Sequence, residues 1–189
     1  MTKAFGMAAG LLGATLCGLL GATGAWAQEA GGGNKPSTLK LGVFLPPSGN
    51  IRRAAGDTWF SAGVEYAPRQ SGGGAGGGVI VAPLGYADYA TINRHGVNAD
   101  FVGFGGGARF YGEPTGVNAF DPYITAGGGV YFSHLSGRGD STNLARIGFR
   151  LGVGLEFQRI YVVEATYTDA GSIRGNRVDG LNLQAGIRF

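Results

Sequence analysis

Two residues in the second half of the chain have the types that a hydrolytic site needs. His134 is followed at the second position by Ser136, and Asp140 lies close by. A serine hydrolase combines a serine nucleophile, a histidine base and an acid that orients the histidine. The acid is the weak member here, because no glutamate lies between Ser136 and Glu156, and Glu156 falls toward the opposite end of its predicted strand. We therefore predict that the chain is not an enzyme.

Three other short patterns could suggest chemistry. Gly137–Ser141 contains the Arg-Gly-Asp adhesion tripeptide, in a predicted surface loop where glycine and charge are common. Gly103-x-Gly105-x-x-Ala108 matches part of a dinucleotide fingerprint, but no helix is predicted after it, as such a site requires. His95 has no second histidine or cysteine at ligand spacing. We predict neither a cofactor nor a metal site.

A third set consists of eight charged residues that share the polar face of the predicted strands. They are Lys40, Glu65, Arg109, Arg146, Arg150, Glu156, Glu164 and Arg188. If this face is enclosed, the charges must pair, because an isolated buried charge costs several kcal/mol. The set predicts a lumen charge network that plugs the protein. The alternative is a narrow, cation-lined pore with a weak preference for anions.

The elements that position these residues have a period of two. In Leu144–Phe157 the odd positions are all apolar from Ala145 onward, and the even positions from Arg146 onward carry only glycine and charge. Leu181–Phe189 repeats the same division. Alternation of this kind indicates β-strands with one apolar face, and no amphipathic helix is predicted anywhere.

The alternation and the turn residues between its segments predict eight strands. Their predicted bounds are 39–46, 58–67, 78–88, 98–111, 122–134, 144–157, 160–169 and 180–189. Gln158-Arg159 is the tightest connection. Because Glu156 and Glu164 should lie on the same side of the sheet, a strict two-residue loop would give the wrong register. We therefore predict a three-residue loop or a bulge there.

Eight strands with short connections form an up-and-down sheet that closes into a barrel. Alternation alone leaves open a soluble barrel with its apolar face inside and a membrane barrel with that face outside. Glycine dominates the polar face, which suits a crowded lumen, and the last strand ends on an aromatic residue. A girdle of aromatic residues is predicted near the strand ends: Tyr66, Phe110, Tyr123, Phe132, Phe157, Tyr161, Tyr167 and Phe189. These features favour an all-β, eight-stranded antiparallel up-and-down transmembrane β-barrel.

Composition excludes several other classes. Glycine makes up 39 of 189 residues, about a fifth, but it follows no Gly-X-Y period, and 11% aromatic residues argue against a disordered chain. A net charge of +3 is too small and too dispersed for a nucleic-acid partner. The uncharged run 70–87 contains seven glycines and Pro83, so it is not a membrane-spanning helix.

The N-terminal segment has the features of an export signal. Residues 1–27 combine Lys3, an uncharged stretch and Ala25-Trp26-Ala27, which fits a small-x-small cleavage site. The only cysteine, Cys17, would leave with this signal peptide, although cleavage at Cys17 as a lipoprotein is an alternative. We predict a signal peptide over 1–27, a flexible N-terminal lead over 28–38 and the barrel over 39–189.

Three segments resemble those of a known superfamily. Leu181–Phe189 (LNLQAGIRF) resembles the C-terminal signature of Gram-negative outer-membrane β-barrels, which is a terminal Phe preceded by alternating apolar residues. Pro122–Phe132 (PYITAGGGVYF) and Leu151–Phe157 (LGVGLEF) are similar to the glycine-alternating strands of small barrels. The resemblance is to the OmpA/OmpX/OmpW-like eight-stranded barrel superfamily and covers nearly all of the predicted mature chain.

This resemblance implies a location and a set of partners. It places the chain in the cell outer membrane with both termini periplasmic, in contact with outer-membrane lipids and lipopolysaccharide, as a monomer. Phe189 and its strand would be what the outer-membrane assembly machinery recognises. The role implied is structural, or an interaction through extracellular loops. Two alternatives stay open: an enzyme similar to the outer-membrane lipid A deacylases, which would use His134 and Ser136, and a narrow pore for small solutes.

Overall fold

The computed structural model describes residues 35–69, 79–94, 96–112, 120–137, 140–173, 176–177 and 179–189. Eight antiparallel strands form one closed barrel in which each strand pairs with its neighbours in the chain and the last pairs with the first. The strands are β1 Ser37–Leu45, β2 Trp59–Tyr66, β3 Ile80–Arg94, β4 Val97–Tyr111, β5 Phe120–Gly137, β6 Asp140–Phe157, β7 Tyr161–Asp169 and β8 Gly180–Arg188. The predicted signal peptide lies outside the described residues, as does most of the predicted lead.

The barrel has its apolar side chains outside and its polar side chains inside. On β6, for example, Leu151 and Val153 are half exposed or more, whereas Arg150 and Glu156 are 1% exposed. An outward apolar face with an enclosed polar face is the arrangement of a barrel that crosses a lipid bilayer. The predicted fold class, a transmembrane β-barrel of eight antiparallel strands, is confirmed.

The outward apolar band on β5 has the height of a membrane. It runs from Phe120 to Phe132, and both rings are exposed. Twelve residues at about 3.3 Å each, tilted by about 40°, rise about 30 Å along the barrel axis. This height is close to that of the apolar band of outer-membrane barrels, and the rings at its two ends occupy the girdle positions.

Strand lengths divide the barrel into two unequal halves. β3 to β6 contain 15 to 18 residues each, whereas the other four strands contain eight or nine. The barrel end that carries Ser37 and Phe189 is called the terminal end below, and the opposite end is called the mouth. At the mouth, β6 continues nine residues beyond its pairing with β7, and β3 continues three residues beyond its pairing with β2. At the terminal end, β3 begins five residues before its pairing with β2.

This extra length corrects the predicted strand bounds. The prediction ended the third strand at residue 88, but β3 continues to Arg94 and pairs with β4 down to Arg94↔Val97. Likewise, β6 begins at Asp140 and not at residue 144. Polar residues such as Asn93 were read as a turn, but outside the membrane a strand can face water on its outer side and still keep its ladder hydrogen bonds.

The connection between β6 and β7 has the predicted geometry. Phe157 pairs with Tyr161, which leaves a three-residue loop, and the Ile160 N–H donates to the Phe157 carbonyl over 3.1 Å. Gln158 and Arg159 both have positive φ, 52° and 56°. A type I′ turn requires positive φ at both central positions. Glu156 and Glu164 consequently lie on the same side of the sheet, as expected.

One short helix was not predicted. α1 spans Gly49–Ala55 between β1 and β2 at the mouth. Its Ile51 and Ala55 are buried, while Arg52 and Arg53 are exposed. Seven residues give too short a pattern for a helical period to stand out in the sequence. No described helix has the length and hydropathy needed to span a membrane.

Candidate functional site

The middle of the barrel interior holds three cations and three anions. This central cluster consists of Lys40, Arg109, Arg150, Glu65, Asp88 and Glu164. Each residue lies at an inward position of a strand, and none is more than 4% exposed. Since the formal charges balance, the cluster has no net charge when all six groups are ionised.

Two glutamates form the centre of this cluster. Lys40 Nζ donates to Glu65 Oε1 over 2.6 Å and to Glu164 Oε1 over 2.8 Å. Arg150 Nη2 donates to the same two oxygens, over 2.5 and 2.6 Å. Because each carboxylate is shared by two cations, removing either one would leave several buried charges without their partner.

The remaining members extend the cluster to both sides. Arg109 Nη2 donates to Glu65 Oε2 and lies 3.5 Å from Glu164 Oε2. Asp88 Oδ2 lies 3.6 Å from Arg150 Nε. Asp88 was not among the predicted residues, because Pro83 made its strand the weakest of the eight and no inward face was assigned to it. The inward positions Ala82, Tyr86 and Ala90 that alternate with it were the available signal.

Tyrosine rings lie between the charged groups and the wall. Tyr123 donates from its hydroxyl to Glu164 Oε2 over 2.8 Å, and the Arg109 guanidinium carbon lies 4.1 Å from the centre of its ring. Arg150 lies in the same way over Tyr86, at 4.6 Å. The prediction placed Tyr123 in the outer aromatic girdle, and this was wrong. It is 3% exposed and points inward, as its odd position on β5 requires.

A second charged group, the terminal cluster, lies in the lower interior. Arg188 Nη1 donates to Glu156 and, over 2.9 Å, to the Tyr111 hydroxyl. Arg69 Nη1 donates to Asp121 Oδ2 over 2.8 Å, and its guanidinium lies 4.0 Å from the centre of the Tyr111 ring. Arg69 and Asp121 fell in segments predicted as connections, so the alternation of strand residues did not include them. The two cations and two anions again balance.

The mouth side of the interior is apolar. The sequence predicted an interior of glycine and charged residues and did not predict this apolar part. Phe44 packs on Trp59 and on Phe101, with ring centres 5.4 and 5.5 Å apart, and Phe101 stacks on Tyr131. Ile51 and Ala55 of α1 belong to the same buried group. We call these residues the mouth core: Phe44, Ile51, Ala55, Trp59, Phe101 and Tyr131.

Arg146 does not belong to the predicted lumen charge network. Its side chain is exposed, and it lies close to Gly171, on whose Cα an added Cβ would come within 3.0 Å of the arginine Cδ. The reason is its height on β6, because pairing with β7 stops at Phe149↔Asp169 and leaves Arg146 above the enclosed part. The other predicted residues, Lys40, Glu65, Arg109, Arg150, Glu156, Glu164 and Arg188, all lie in the two clusters.

His134 lies on the outer face of β5 near the mouth. Its Nδ1 lies 2.5 Å from Asn143 Oδ1 on β6. The strand register also places Asp100 of β4 opposite His134. However, Asp100 Oδ1 accepts hydrogen bonds from the hydroxyls of Tyr89 and Thr91 on β3, over 3.0 and 2.7 Å. The contact described at His134 Nδ1 is thus with an amide, whereas a serine triad places an acid at that nitrogen.

Other predicted features have simpler positions. Gly103, Gly105 and Ala108 lie within β4, and the next element in the described part of the chain is the strand β5. Most of the Arg-Gly-Asp tripeptide lies outside the described residues, and so does His95. In the described part of the chain, no three His, Cys, Asp or Glu side chains are grouped as metal ligands would be. Phe189 is exposed, and its backbone exchanges two hydrogen bonds with Ser37, 2.8 and 3.1 Å long.

Comparison with known proteins identifies the architecture. No protein-family model matches the chain, and no curated protein matches it. Among solved structures, Neisserial surface protein A matches with a TM-score of 0.60 at 13% identity, over 80% of this chain and 94% of that one. Ail, the attachment invasion locus protein of Yersinia pestis, matches with a TM-score of 0.52 at 15% identity, over 83% and 99%. Both are eight-stranded outer-membrane barrels, so the chain shares their fold.

Proposed function

We propose that the protein is an integral outer-membrane barrel whose lumen is closed and whose mouth presents the surface for interactions. The inside-out burial and the likeness to outer-membrane barrels support this location. The proposed orientation has both termini in the periplasm and the mouth, with α1, on the cell exterior. In this orientation the exposed Arg52 and Arg53 face the medium, where a partner could reach them.

The observation that carries the closed lumen is the continuity of side chains along the axis. The terminal cluster, the central cluster and the mouth core follow one another, and their members are buried except Arg69, whose side chain is 15% exposed. Eight-stranded barrels have an interior just wide enough for side chains to fill. An ion would have to separate Lys40 from Glu65 and Glu164 to pass, and separating a buried pair costs several kcal/mol.

The proposal is tested by combining location, folding and conductance. Membrane fractionation should find the protein in the outer membrane, and unheated samples should migrate differently from boiled ones on a gel, as folded barrels do. Purified protein in planar lipid bilayers should give no steady conductance steps, while a general porin in the same bilayers serves as the positive control. Steady steps of reproducible size would contradict the closed lumen without contradicting the membrane location.

We further propose that the C-terminal strand carries the assembly signal and that the barrel is a monomer. β8 closes the barrel by pairing with β1, and Phe189 lies at the terminal end with its ring exposed. Replacing Phe189 with Ala should reduce the folded, membrane-inserted fraction in cells while refolding of the purified chain into detergent changes little. An equal loss in both experiments would point to a stability effect and contradict a recognition role.

The second candidate is a lipid hydrolase that uses Ser136 and His134. It is favoured by the contact between His134 Nδ1 and Asn143, which holds the ring at the membrane rim. It is opposed by the amide at position 143, because replacing the acid of a serine triad with an amide lowers kcat by about 10⁴. We therefore propose that the protein is not an enzyme.

The enzyme alternative has a direct test. Purified protein is incubated with lipid A in mixed micelles, and the lipid is analysed by mass spectrometry for loss of an acyl chain. We expect no deacylated product. A product that disappears in His134→Ala but persists in the control Asn93→Ala would overturn this view.

A further inference from the structure

The outer face of β3 to β6 changes its chemistry abruptly near the mouth. Below the change, the row that crosses the four strands contains Tyr89, Val102, Phe132 and Ala145, and the next row toward the terminal end contains Ala87, Phe104, Val130 and Ile147. Above it lie two rows in which every residue is polar. We call these eight residues the polar panel: Thr91, Asp100, His134 and Asn143 in the lower row, and Asn93, Asn98, Ser136 and Ser141 in the upper row.

The register fixes the panel as a continuous surface. Within the lower row, each member is the cross-strand neighbour of the next, from Thr91↔Asp100 through Asp100↔His134 to His134↔Asn143. The upper row follows two residues further along each strand. Neighbouring strands are about 4.8 Å apart, so each row extends about 14 Å across the barrel wall. The panel is therefore a rigid sheet surface and not a loop.

Hydrogen bonds hold the lower row in place. Asp100 accepts bonds from Tyr89 and Thr91, and His134 contacts Asn143. In the upper row, Asn93, Asn98 and Ser141 are exposed. The panel thus combines a preorganised lower row with an exposed row of amide and hydroxyl groups, which can both donate and accept.

The chemistry of the panel fits sugars better than phosphates. It contains amides, hydroxyls, one carboxylate and one imidazole, but no lysine or arginine. Phosphate groups are bound chiefly by cationic side chains and backbone N–H groups, whereas a sugar offers neutral hydroxyls that need donors and acceptors in close array. The exposed cations Arg52 and Arg53 lie on α1, which is not part of this wall, and the exposed Arg94 ends β3 at a position of opposite parity to the panel residues Thr91 and Asn93.

The position of the panel next to the apolar band indicates that the sugar belongs to a membrane lipid. The apolar band directly below it faces lipid acyl chains, so whatever lies beside the panel is the head group of the same lipid. β1, β2 and β8 offer no equivalent, because their outward residues nearest the mouth are Leu45, Phe60 and Leu181. The wall of β3 to β6 continues beyond the apolar band by two full rows of polar side chains, whereas β7 ends at the single polar outward residue Asp169, the next outward position after Tyr167.

From this placement we propose that the polar panel binds the saccharide part of a membrane glycolipid whose acyl chains cover the apolar band below. This inference rests on the proposed outer-membrane location, in which the outward-facing leaflet carries glycolipid. The acyl chains hold the sugar beside the panel at a high effective concentration, so weak individual hydrogen bonds are sufficient.

The test compares two glycolipids on protein folded in detergent micelles. One probe is lipopolysaccharide with a complete core saccharide but no O-chain, and the other is lipid A without core sugars. Three additional hydrogen bonds to sugar hydroxyls should make the core-bearing lipid bind at least about tenfold more tightly. The triple variant Asn98→Ala, Ser141→Ala, Asn143→Ala should lose that preference and keep the affinity for lipid A.

Two controls separate the possible outcomes. Arg52→Ala with Arg53→Ala should leave the core preference unchanged, and a loss of preference there would assign recognition to the cationic helix and overturn the panel. Free core oligosaccharide should compete poorly, and competition as strong as that of the intact glycolipid would overturn the membrane-lipid source. Equal binding of both lipids by the wild type would also overturn the inference. If the protein forms a heat-modifiable barrel but binds both lipids equally, the sugar-binding role of the panel is contradicted and the outer-membrane location is not. If the chain does not insert into the membrane, the proposed location is contradicted.

Discussion

At the scale of single residues, interior glycines make room for tyrosine rings. A Cβ added at Gly103 would lie 2.5 Å from two atoms of the Tyr131 ring, and one added at Gly127 would lie 3.2 Å from Tyr86 Cε1. Tyr86 and Tyr131 then meet through their hydroxyls, 2.7 Å apart. Gly103 is therefore a position where an aromatic side chain from another strand fills the volume, whereas at Gly107 the backbone of β5 does so.

This packing distinguishes two glycines that look alike in the sequence. Gly103→Ala should destabilise the barrel by about 1–3 kcal/mol, because the new methyl group overlaps the Tyr131 ring. Gly85→Ala, which faces outward with no atom within 4 Å of its added Cβ, should be neutral or stabilise by about 0.5 kcal/mol. Urea unfolding of both variants in lipid vesicles measures the difference. Equal free energies of unfolding would contradict the packing role.

Glu65 is the residue on which most of the central cluster depends. Glu65→Gln leaves Lys40, Arg109 and Arg150 against only two carboxylates, and removing one partner of a buried ion pair costs about 3–5 kcal/mol. The free energy of unfolding, followed through the fluorescence of Trp59, should fall by that amount. Arg146→Gln is the matched control, because Arg146 is exposed, and it should change stability by less than about 0.5 kcal/mol.

At the scale of elements, the turn between β6 and β7 carries strain that its residue types do not relieve. Positive φ costs a non-glycine residue about 1–2 kcal/mol, and Gln158 and Arg159 both have it. Gln-Arg is not a pair that type I′ turns usually contain. The loop was instead predicted from the register, which must place Glu156 and Glu164 on the same side of the sheet. The strands on either side determine the turn.

Replacing these two residues should therefore stabilise the barrel. Gln158→Asn with Arg159→Gly supplies the pair that type I′ turns prefer and should raise the free energy of unfolding by about 1 kcal/mol. The control, Arg146→Gly, makes the same Arg-to-Gly change within a strand and should lower it by about 0.5–1 kcal/mol. A loss of stability in the turn variant would contradict the positive-φ conformation.

The elements also show what the sequence could and could not predict. Alternation determined all eight strands, because the membrane requires a wholly apolar outer face between Phe120 and Phe132. The alternation did not predict the strand ends outside the membrane, because there a strand can carry polar outward side chains such as Asn93, which are solvated by water. Arg69 and Asp121 were missed for a different reason: Arg69 follows β2 at the terminal end, and Asp121 lies in β5 one residue before the predicted start of that strand.

At the scale of the whole molecule, the interior is filled by three layers of different chemistry. Two charged clusters occupy the terminal and middle parts, and the mouth core of aromatic residues and α1 occupies the top. The mouth core includes Ile51 and Ala55 of α1, and this helix is too short to be predicted from the sequence. A transmembrane barrel could thus be predicted, whereas the way its upper end is closed could not.

The mouth core gives a prediction for the whole barrel. Replacing Gly49–Ala55 with a flexible glycine-serine segment of the same length removes Ile51 and Ala55 from the mouth. The lumen should still conduct no steady current in planar bilayers, because the two charged clusters remain, but stability should fall by about 2–4 kcal/mol for the lost burial. Conductance steps in this variant would show that α1, and not the charges, closes the barrel.

The balanced charge of each cluster also determines how the folded protein responds to mobile ions. Salt screens charges that water reaches, over about 10 Å at 0.1 M, but it does not enter an interior filled by side chains. Because Lys40, Arg109 and Arg150 are matched by three carboxylates inside the wall, the clusters contribute almost no field outside it. Ionic strength should therefore leave barrel stability nearly constant while it weakens any partner held by the exposed arginines of α1. Changing the salt concentration therefore distinguishes the interactions that stabilise the barrel from the interactions that bind a partner at its surface.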